Sequence, residues 1–266
     1  SKANGYDLYE DGLRIYTTID SRMQKYAEEA VEEHMKFQQE LFDEHWEGKA
    51  PWRDESGRVI KDFVENEARR TDAYDYWEKE FGDNEKKIFE KLREPKSMKV
   101  FSWEGEKDTV LSTMDSIRYY KQFLHAGFMA MNPNNGHIKA WVGGINYRHF
   151  KYDHVKQGRR QPGSTFKPIV YAAAIDNGYS PCYQIEDVPV TFEVPGDPPT
   201  WTPSNSGGKF TGDTMTLRQA MARSLNSGTA YVMSKIGPQT VVDYAKGLGI
   251  ESPLAAVPSL CLGTSD

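Results

Sequence analysis

The sequence is poor in cysteine and has no long hydrophobic run. Its 266 residues include two cysteines, Cys182 and Cys261, which lack the C-x-x-C spacing of zinc and redox sites. We therefore expect no disulfide framework and interpret both as small buried side chains. The longest apolar run, Ile169–Ile175, is much shorter than the roughly 18 residues of a membrane span, and residues 1–5 do not open a signal peptide. We expect the chain to be part of a longer protein.

An excess of basic residues is also absent. The formal net charge is −6, which gives no basic surface for nucleic acid and does not favour acidic substrates either. Four of the histidines lie between residues 125 and 154 and lack the H-x-x-x-H or H-E-x-x-H spacing of metal sites: His125, His137, His149 and His154. The sequence therefore predicts no nucleic-acid partner, no metal and no cofactor.

Three segments of the chain differ in pattern. Residues 1–35 contain an alternating apolar stretch, predicted to be a strand, and then a helix capped by Asp20. Residues 36–98 carry 30 charged residues among 63, yet aromatic residues recur in them. We interpret this segment as a charged helical insert, in which Thr71 caps a helix whose apolar residues form one stripe. Residues 99–266 are predicted to form the enzyme domain.

The enzyme segment combines strand and helix signals. The runs 128–131 and 137–142 flank a Pro-Asn-Asn-Gly turn, so they predict a β-hairpin. A helix is predicted from Ser164 to Ile175, and residues 181–215 are rich in Pro, Gly and Thr, which is typical of loops. Further helices are predicted at about 216–223, 228–236 and 239–246.

The strongest chemical signal is the serine-lysine pair of Gly163–Lys167. If Ser164 begins a helix, Lys167 lies one turn later, about 5–6 Å away at Cβ. A lysine kept neutral by burial can take the serine proton, and the free N–H groups of a helix N-terminus favour an oxyanion beside Ser164. S-x-x-K alone also occurs by chance as a capping serine with an exposed lysine, so its context decides.

That context is the run Arg160–Pro168, RQPGSTFKP, followed by Ser224-Leu225-Asn226. A serine and a lysine joined by S-x-N are the pattern of penicillin-binding proteins and serine β-lactamases. The sequence closely resembles the transpeptidase domain of class A penicillin-binding proteins of the 1A type. The resemblance covers about residues 6–35 and 99–266 and leaves out most of the charged insert. Its other matching stretches are 16–28, 140–144, 201–205 and 262–265.

The resemblance implies an α+β fold, with an antiparallel sheet flanked by helices as in β-lactamases and transpeptidases, and incomplete in this chain. It also implies the roles of four residues. Ser164 would attack the penultimate D-Ala carbonyl of a peptidoglycan stem peptide, with Lys167 as the general base. Ser224 would pass a proton to the leaving amine, and Asn226 would hold the substrate and Lys167. Transfer of the acyl group to a second stem peptide would crosslink the cell wall, and β-lactams would trap Ser164.

The third motif of the family, K-T-G, does not occur after Asn226. The resemblance places it downstream, so we expect the C-terminal part of the domain, with most of its sheet strands, to lie outside this chain. Since one lost oxyanion donor lowers a rate by about 10²–10³-fold, the chain alone is expected to be weak or inactive. The resemblance further implies an upstream glycosyltransferase domain and a membrane anchor in the parent protein, on the periplasmic face of the inner membrane.

Two alternatives stay open. A serine β-lactamase would share the fold and motifs but hydrolyse its acyl-enzyme; class A enzymes usually have S-D-N where this chain has Ser224-Leu225-Asn226, and no Glu-x-x-Leu-Asn loop is found. A non-catalytic scaffold would use residues 36–98 as a docking surface. The lifetime of the acyl-enzyme separates the first alternative from a transpeptidase, and deletion of the insert tests the second.

Overall fold

The computed structural model describes residues 5–7 and 10–264, and Ser265, the last residue of one matching stretch, lies outside them. The chain divides into two compact units, one ending at Gly158 and the other starting at Arg159. The boundaries predicted at residues 35 and 98 stay predictions, although a helix runs through the first of them. None of the helices in the described part of the chain is long and apolar enough to cross a membrane.

A long helix, α1 (Ser21–His45), opens the first unit. The side chain of Asp20 accepts hydrogen bonds from the backbone N–H groups of Arg22 and Met23 at 3.0 and 3.2 Å, so the predicted cap is confirmed. The strand predicted before the helix is wrong. The described stretch 12–19 has no strand, and its alternating apolar residues bury no face, because Ile15 is 67% exposed.

After α1 the first unit continues with short helices and a hairpin, which begin in the charged segment and extend past residue 98. The elements are α2 (Phe63–Ala68), α3 (Asp72–Phe81), α4 (Glu85–Leu92), β1 (Lys96–Ser102), β2 (Gly105–Leu111) and α5 (Thr113–Tyr120). Thr71 caps α3 as predicted, but the predicted apolar stripe belongs to two helices, because Gly82 takes φ +58° and ends α3. The helices share one core: Val64, Ala68, Tyr74, Ile88, Phe89, Leu92 and Met114. Met114 lies on α5, so this core extends past residue 98.

The predicted hairpin is confirmed as β3 (Phe128–Met131) and β4 (Ile138–Val142), which pair antiparallel. Ala130 lies opposite Ala140, and the register shifts at Met131. The inner face of β4 packs against α1 through Ala27 and Val31. This hairpin completes the regular structure of the first unit.

The second unit is mainly helical, with two small strand pairs. Its elements are a 3-10 turn (Gly163–Phe166), α6 (Lys167–Asp176), β5 (Gln184–Glu186), β6 (Phe192–Glu193), β7 (Thr200–Trp201), β8 (Thr214–Thr216), α7 (Leu217–Ala222), α8 (Asn226–Ile236), α9 (Pro238–Gly247) and a second 3-10 turn (Pro258–Leu262). β5 pairs with β8, and β6 pairs with β7, both antiparallel. The stretch 181–215 is otherwise loop, as predicted.

The core of the second unit joins α6, α7, α8, α9 and the Pro258–Leu262 turn. Leu217, Met233 and Leu260 are at most 1% exposed in it. Burying an aliphatic side chain contributes about 1.5–3 kcal/mol, so this core fixes the turns that carry the candidate site. Cys261 is buried as expected, but Cys182 is exposed, which corrects the expectation that both cysteines are buried.

Candidate active site

Ser164 lies in a single 3-10 turn rather than at the start of the predicted α-helix. The backbone N–H of Lys167 donates to the Ser164 carbonyl, three residues back. Residue 168 would donate to the same carbonyl in an α-helix, but it is a proline and has no N–H. A 3-10 turn has three residues per turn, so positions i and i+3 align on one side. The turn therefore places Ser164 and Lys167 on the same face, with Ser164 exposed and Lys167 buried.

Lys167 is held by three oxygen atoms. Its side chain is 2% exposed, and Nζ donates to the Ser224 carbonyl and to Asn226 Oδ1, each at 2.7 Å. Ser224 Oγ lies 3.2 Å from the same nitrogen. All three partners come from the segment between α7 and the start of α8, so that segment fixes the position of the amine.

Burial lowers the pKa of Lys167 below the ordinary lysine value of 10.5, because a buried ammonium loses its hydration. The nearby thiol of Cys261 works in the opposite direction, and burial raises the pKa of that thiol to about 12. A neutral amine has two N–H groups and one lone pair. When the amine is neutral, the two carbonyl oxygens match its N–H groups and its lone pair is left to accept a proton; when it is an ammonium, the third N–H donates to Ser224 Oγ. The surroundings of Lys167 thus suit a proton-accepting amine.

Ser224 adopts a backbone conformation that serine rarely takes, with φ +52°. It follows α7, is exposed, and precedes Asn226, the first residue of α8. The S-x-N motif thus spans the turn between α7 and α8. Non-glycine residues with positive φ cost of order 1–3 kcal/mol and cluster at functional sites. Here the conformation turns both the carbonyl and the hydroxyl of Ser224 toward Lys167.

The structure brings three of the four predicted site residues into direct contact. Lys167, Ser224 and Asn226 share hydrogen bonds, while the side chain of Ser164 makes none within residues 5–7 and 10–264. Ser164 belongs to the site because the 3-10 turn places it on the same face as Lys167. The roles of the four residues stay predictions.

The turn that carries Ser164 packs directly on the stretch after the second 3-10 turn. The Gly163 N–H donates to the Gly263 carbonyl at 3.1 Å, and Gln161 Nε2 donates to the Thr264 carbonyl at 3.3 Å. Both glycines have positive φ, +56° and +69°. The Leu-Gly-Thr-Ser stretch matches the family in sequence, and close backbone contact between this stretch and the Ser164 turn supplies a structural reason.

A buried acid next to the site was missed. Asp187 is 2% exposed and lies in the loop after β5, where the sequence indicates only turns. Burial works to raise its pKa, but hydrogen bonds from Ser227, Thr211 and Asn205 outweigh burial and lower it. The carboxylate is therefore ionised and fully partnered. A single sequence gives no sign that this loop acid is buried.

Two family models match consecutive parts of the chain. The penicillin-binding protein middle domain matches residues 47–124, and the penicillin binding protein transpeptidase domain matches residues 126–257. The resemblance seen in the sequence left out most of residues 36–98. That expectation is wrong, because the middle-domain model includes residues 47–98.

Relatives and a solved structure agree with these models. Penicillin-binding protein 1A of Rickettsia typhi is 30% identical over 278 residues, which cover 97% of this chain and 35% of that protein. Penicillin-binding protein 2D of Bacillus subtilis is 36% identical over 141 residues, 53% of this chain and 20% of that protein. The crystal structure of penicillin-binding protein 1A from Haemophilus influenzae matches 94% of this chain and 40% of its own length, with 21% identity and a TM-score of 0.58. This last likeness supports the transpeptidase fold. The chain spans about a third of the length of the first of these relatives.

Proposed function

The chain belongs to the penicillin-binding proteins, and from this premise we propose that it contributes the acylation site of a serine D,D-transpeptidase that crosslinks peptidoglycan. The observation that carries the proposal is the buried Lys167 amine, held at 2.7 Å by both the Ser224 carbonyl and Asn226 Oδ1. An exposed serine one turn before a buried lysine, whose pKa is lowered by that burial, is the arrangement that nucleophilic catalysis needs.

In the first step Ser164 Oγ attacks the carbonyl carbon of the penultimate D-Ala of a stem peptide. The serine proton moves to Lys167 Nζ as the C–O bond forms, which leaves a tetrahedral oxyanion. The first N–H groups of a helical turn have no partner within it, so the Ser164 N–H is available to the oxyanion. Lys167 needs its lone pair for this step, which explains why burial of the amine matters.

In the second step the bond to the terminal D-Ala breaks. The Ser224 hydroxyl, 3.2 Å from Lys167 Nζ, passes a proton to the leaving nitrogen and is reprotonated from the lysine. An ester between the acyl group and Ser164 remains. An amine of a second stem peptide then attacks the ester, forms the crosslinking amide and returns the proton to Ser164.

A β-lactam reacts at the same serine. Attack of Ser164 on the lactam carbonyl opens the ring, and the leaving nitrogen stays tethered to the acyl group. The tethered nitrogen does not diffuse away and blocks the approach of the second stem peptide, so the acyl-enzyme persists unless water hydrolyses the ester. The substrate class also places the site outside the cytoplasm, where peptidoglycan is crosslinked. A glycosyltransferase domain and a membrane anchor in the whole protein are part of the same proposal.

Labelling with fluorescent penicillin tests the proposal. The full-length protein should become covalently labelled, and Ser164→Ala should abolish the label. The matched control is Ser234→Ala, since Ser234 is an exposed serine on α8; it should label like the wild type. Persistent labelling of Ser164→Ala would refute the nucleophile. Rapid loss of the label with turnover of penicillin would instead support the β-lactamase alternative.

A further inference from the structure

A buried polar network lies behind Asn226 and outside both sequence motifs. Asp187, Asn205 and Ser227 are 2%, 7% and 0% exposed, and Thr211 joins them from the loop before β8. Buried polar groups are tolerated where their hydrogen bonds are satisfied, and satisfied networks hold their members in one arrangement.

Asp187 is the centre of the network. Its Oδ1 accepts from Asn205 Nδ2 at 2.8 Å and from Ser227 Oγ at 2.6 Å. Its Oδ2 accepts from the backbone N–H and the hydroxyl of Thr211 at 2.9 and 3.1 Å. Since a carboxylate can only accept, it sets the orientation of the Asn205 amide, with the nitrogen toward Asp187.

Asn205 uses its other atom to cap α8. Its Oδ1 accepts from the backbone N–H groups of Asn226 and Ser227 at 3.0 and 3.1 Å. The residue at the N-cap position, Leu225, has no side chain that could do this. The start of α8, and with it the Cα of Asn226, is thereby tied to the Asp187 network.

The neighbouring carbonyl orients the Asn226 side chain. Asn226 Nδ2 donates to the Ser204 carbonyl at 2.7 Å, so Oδ1 is the atom that faces Lys167 Nζ. A flipped amide would set a donor against the lysine N–H groups. Ser204 and Asn205 are adjacent, so the same short segment positions both the backbone and the amide of Asn226.

We propose that Asp187 and Asn205 are positioning residues. They keep the side-chain amide oxygen of Asn226 in hydrogen-bond contact with Lys167 Nζ and so set the rate of acylation of Ser164. Within the described part of the chain, neither residue hydrogen-bonds to Lys167. The inference rests on the proposed function, because its readout is acylation by penicillin.

Single substitutions should slow acylation without removing the nucleophile. In Asp187→Asn, the new amide nitrogen faces the donors of Asn205 and Ser227, or the donors of Thr211 if it is flipped. We expect the acylation rate of the full-length protein with fluorescent penicillin to fall by roughly 10- to 100-fold, the range found when hydrogen bonds that orient metal ligands are removed. Asn205→Ala should act in the same direction.

The pH profile separates positioning from a general loss of stability. The Asn226 carbonyl accepts from the lysine ammonium, which favours the charged form. Displacing that amide oxygen should therefore lower the pKa of Lys167. In the pH profile of the acylation rate, the rise on the acid side (the acid limb) should then move to lower pH, while the maximum rate at high pH falls. Cys261 is the titratable group that faces Lys167 from the Pro258–Leu262 turn, and these substitutions leave it unchanged. A loss of folded protein would lower the rate at every pH without moving the limb.

A swap of the two residues gives a stronger test. In the double variant Asp187→Asn/Asn205→Asp, residue 187 donates and residue 205 accepts, so donors again meet acceptors across the network. Part of the lost rate should return, although residue 205 then loses its bond to the Lys209 carbonyl. Asp213→Asn is the matched control, since Asp213 is an exposed acid in the same loop. Ser227→Ala removes a single bond to Asp187 and serves if the larger changes prevent folding; it should slow acylation by about 3- to 10-fold.

The outcomes are distinct. Slower acylation with a shifted acid limb, partial recovery in the swap and a normal Asp213→Asn protein would support the inference. The inference would be overturned if folded Asp187→Asn had the acylation rate and the acid limb of the wild type. If Asp187→Asn does not fold, the same result with folded Ser227→Ala would overturn it. A wild-type protein that labels no better than Ser164→Ala would instead refute the proposed function.

Discussion

Replacing Gly263 by alanine should displace the turn that carries the nucleophile. A methyl group on Gly263 would lie 2.6 Å from Gly163 N and 2.9 Å from Gly163 C, and closer still to the Gly163 carbonyl oxygen. These are backbone atoms and cannot rotate away. Since carbon atoms pack at about 3.5–4.0 Å, the two segments must separate by roughly 1 Å.

The expected magnitude has two parts. Overpacking costs about 1–3 kcal/mol, and a left-handed conformation costs a non-glycine residue about 1–2 kcal/mol, so the free energy of unfolding should fall by about 2–5 kcal/mol. A misplacement of about 1 Å at a reacting group can lower a rate by about 10²-fold, which is the loss of acylation that we expect per folded molecule. Chemical unfolding measures the first effect, and the rate of fluorescent penicillin labelling measures the second.

Gly136→Ala is the matched control. Gly136 has φ +69°, the same as Gly263, but nothing lies within 4 Å of its added methyl group. This variant should lose stability through the backbone conformation alone and acylate at the wild-type rate. If folded Gly263→Ala acylates as fast as Gly136→Ala, contact between Gly263 and the Ser164 turn does not govern the nucleophile, and the reasoning is refuted.

Three further predictions concern titratable groups. Lys167→Ala should lower acylation by about 10²–10⁴-fold through loss of the base, measured by labelling kinetics against Lys235→Ala, and an unchanged rate would exclude Lys167 as the base. In Asn226→Asp, a carboxylate against the amine should raise the pKa of Lys167 and move the acid limb of the acylation rate to higher pH; a limb that stays in place would contradict direct contact. Burial lowers the pKa of His125 from 6.5 to about 4, so between these values the unfolded chain binds the proton and the folded chain does not. The free energy of unfolding should therefore fall by at most about 3 kcal/mol as the pH drops from 6.5 to 4. Urea unfolding of His125→Phe should show a smaller fall in the free energy of unfolding over this pH range. If this free energy depends on pH equally in the variant and the wild type, His125 is not the titrating group.

Short-range patterns predicted much of the local structure. The cap at Asp20, the cap at Thr71 and the hairpin around residues 133–136 each depend on a few adjacent residues, and the structure contains all three. The strand prediction for residues 12–19 was wrong because alternating apolar residues form a strand only where one face is buried, and burial depends on distant parts of the chain. Gly82, which ends α3, could have indicated a break between two helices, but the apolar residues before and after it keep a helical spacing and so predicted one continuous helix.

The candidate site was predictable only in part. The motifs indicate Ser164, Lys167, Ser224 and Asn226, and Pro168 explains the 3-10 turn once its missing N–H is considered. Asn205 lies in the matching stretch 201–205, but the burial of Asp187 was not predictable, because an aspartate in a Pro- and Gly-rich loop is usually exposed. Burial of Asp187 results from loops packing between β5 and β8, which no local pattern encodes.

The most direct test of the central claim is mass spectrometry of the full-length protein after reaction with benzylpenicillin. The account predicts a mass increase equal to one penicillin molecule, carried by the peptide that contains Ser164, and no adduct in Ser164→Ala. An adduct on any other residue, or an equal adduct in Ser164→Ala, would contradict the claim that Ser164 is the acylated nucleophile.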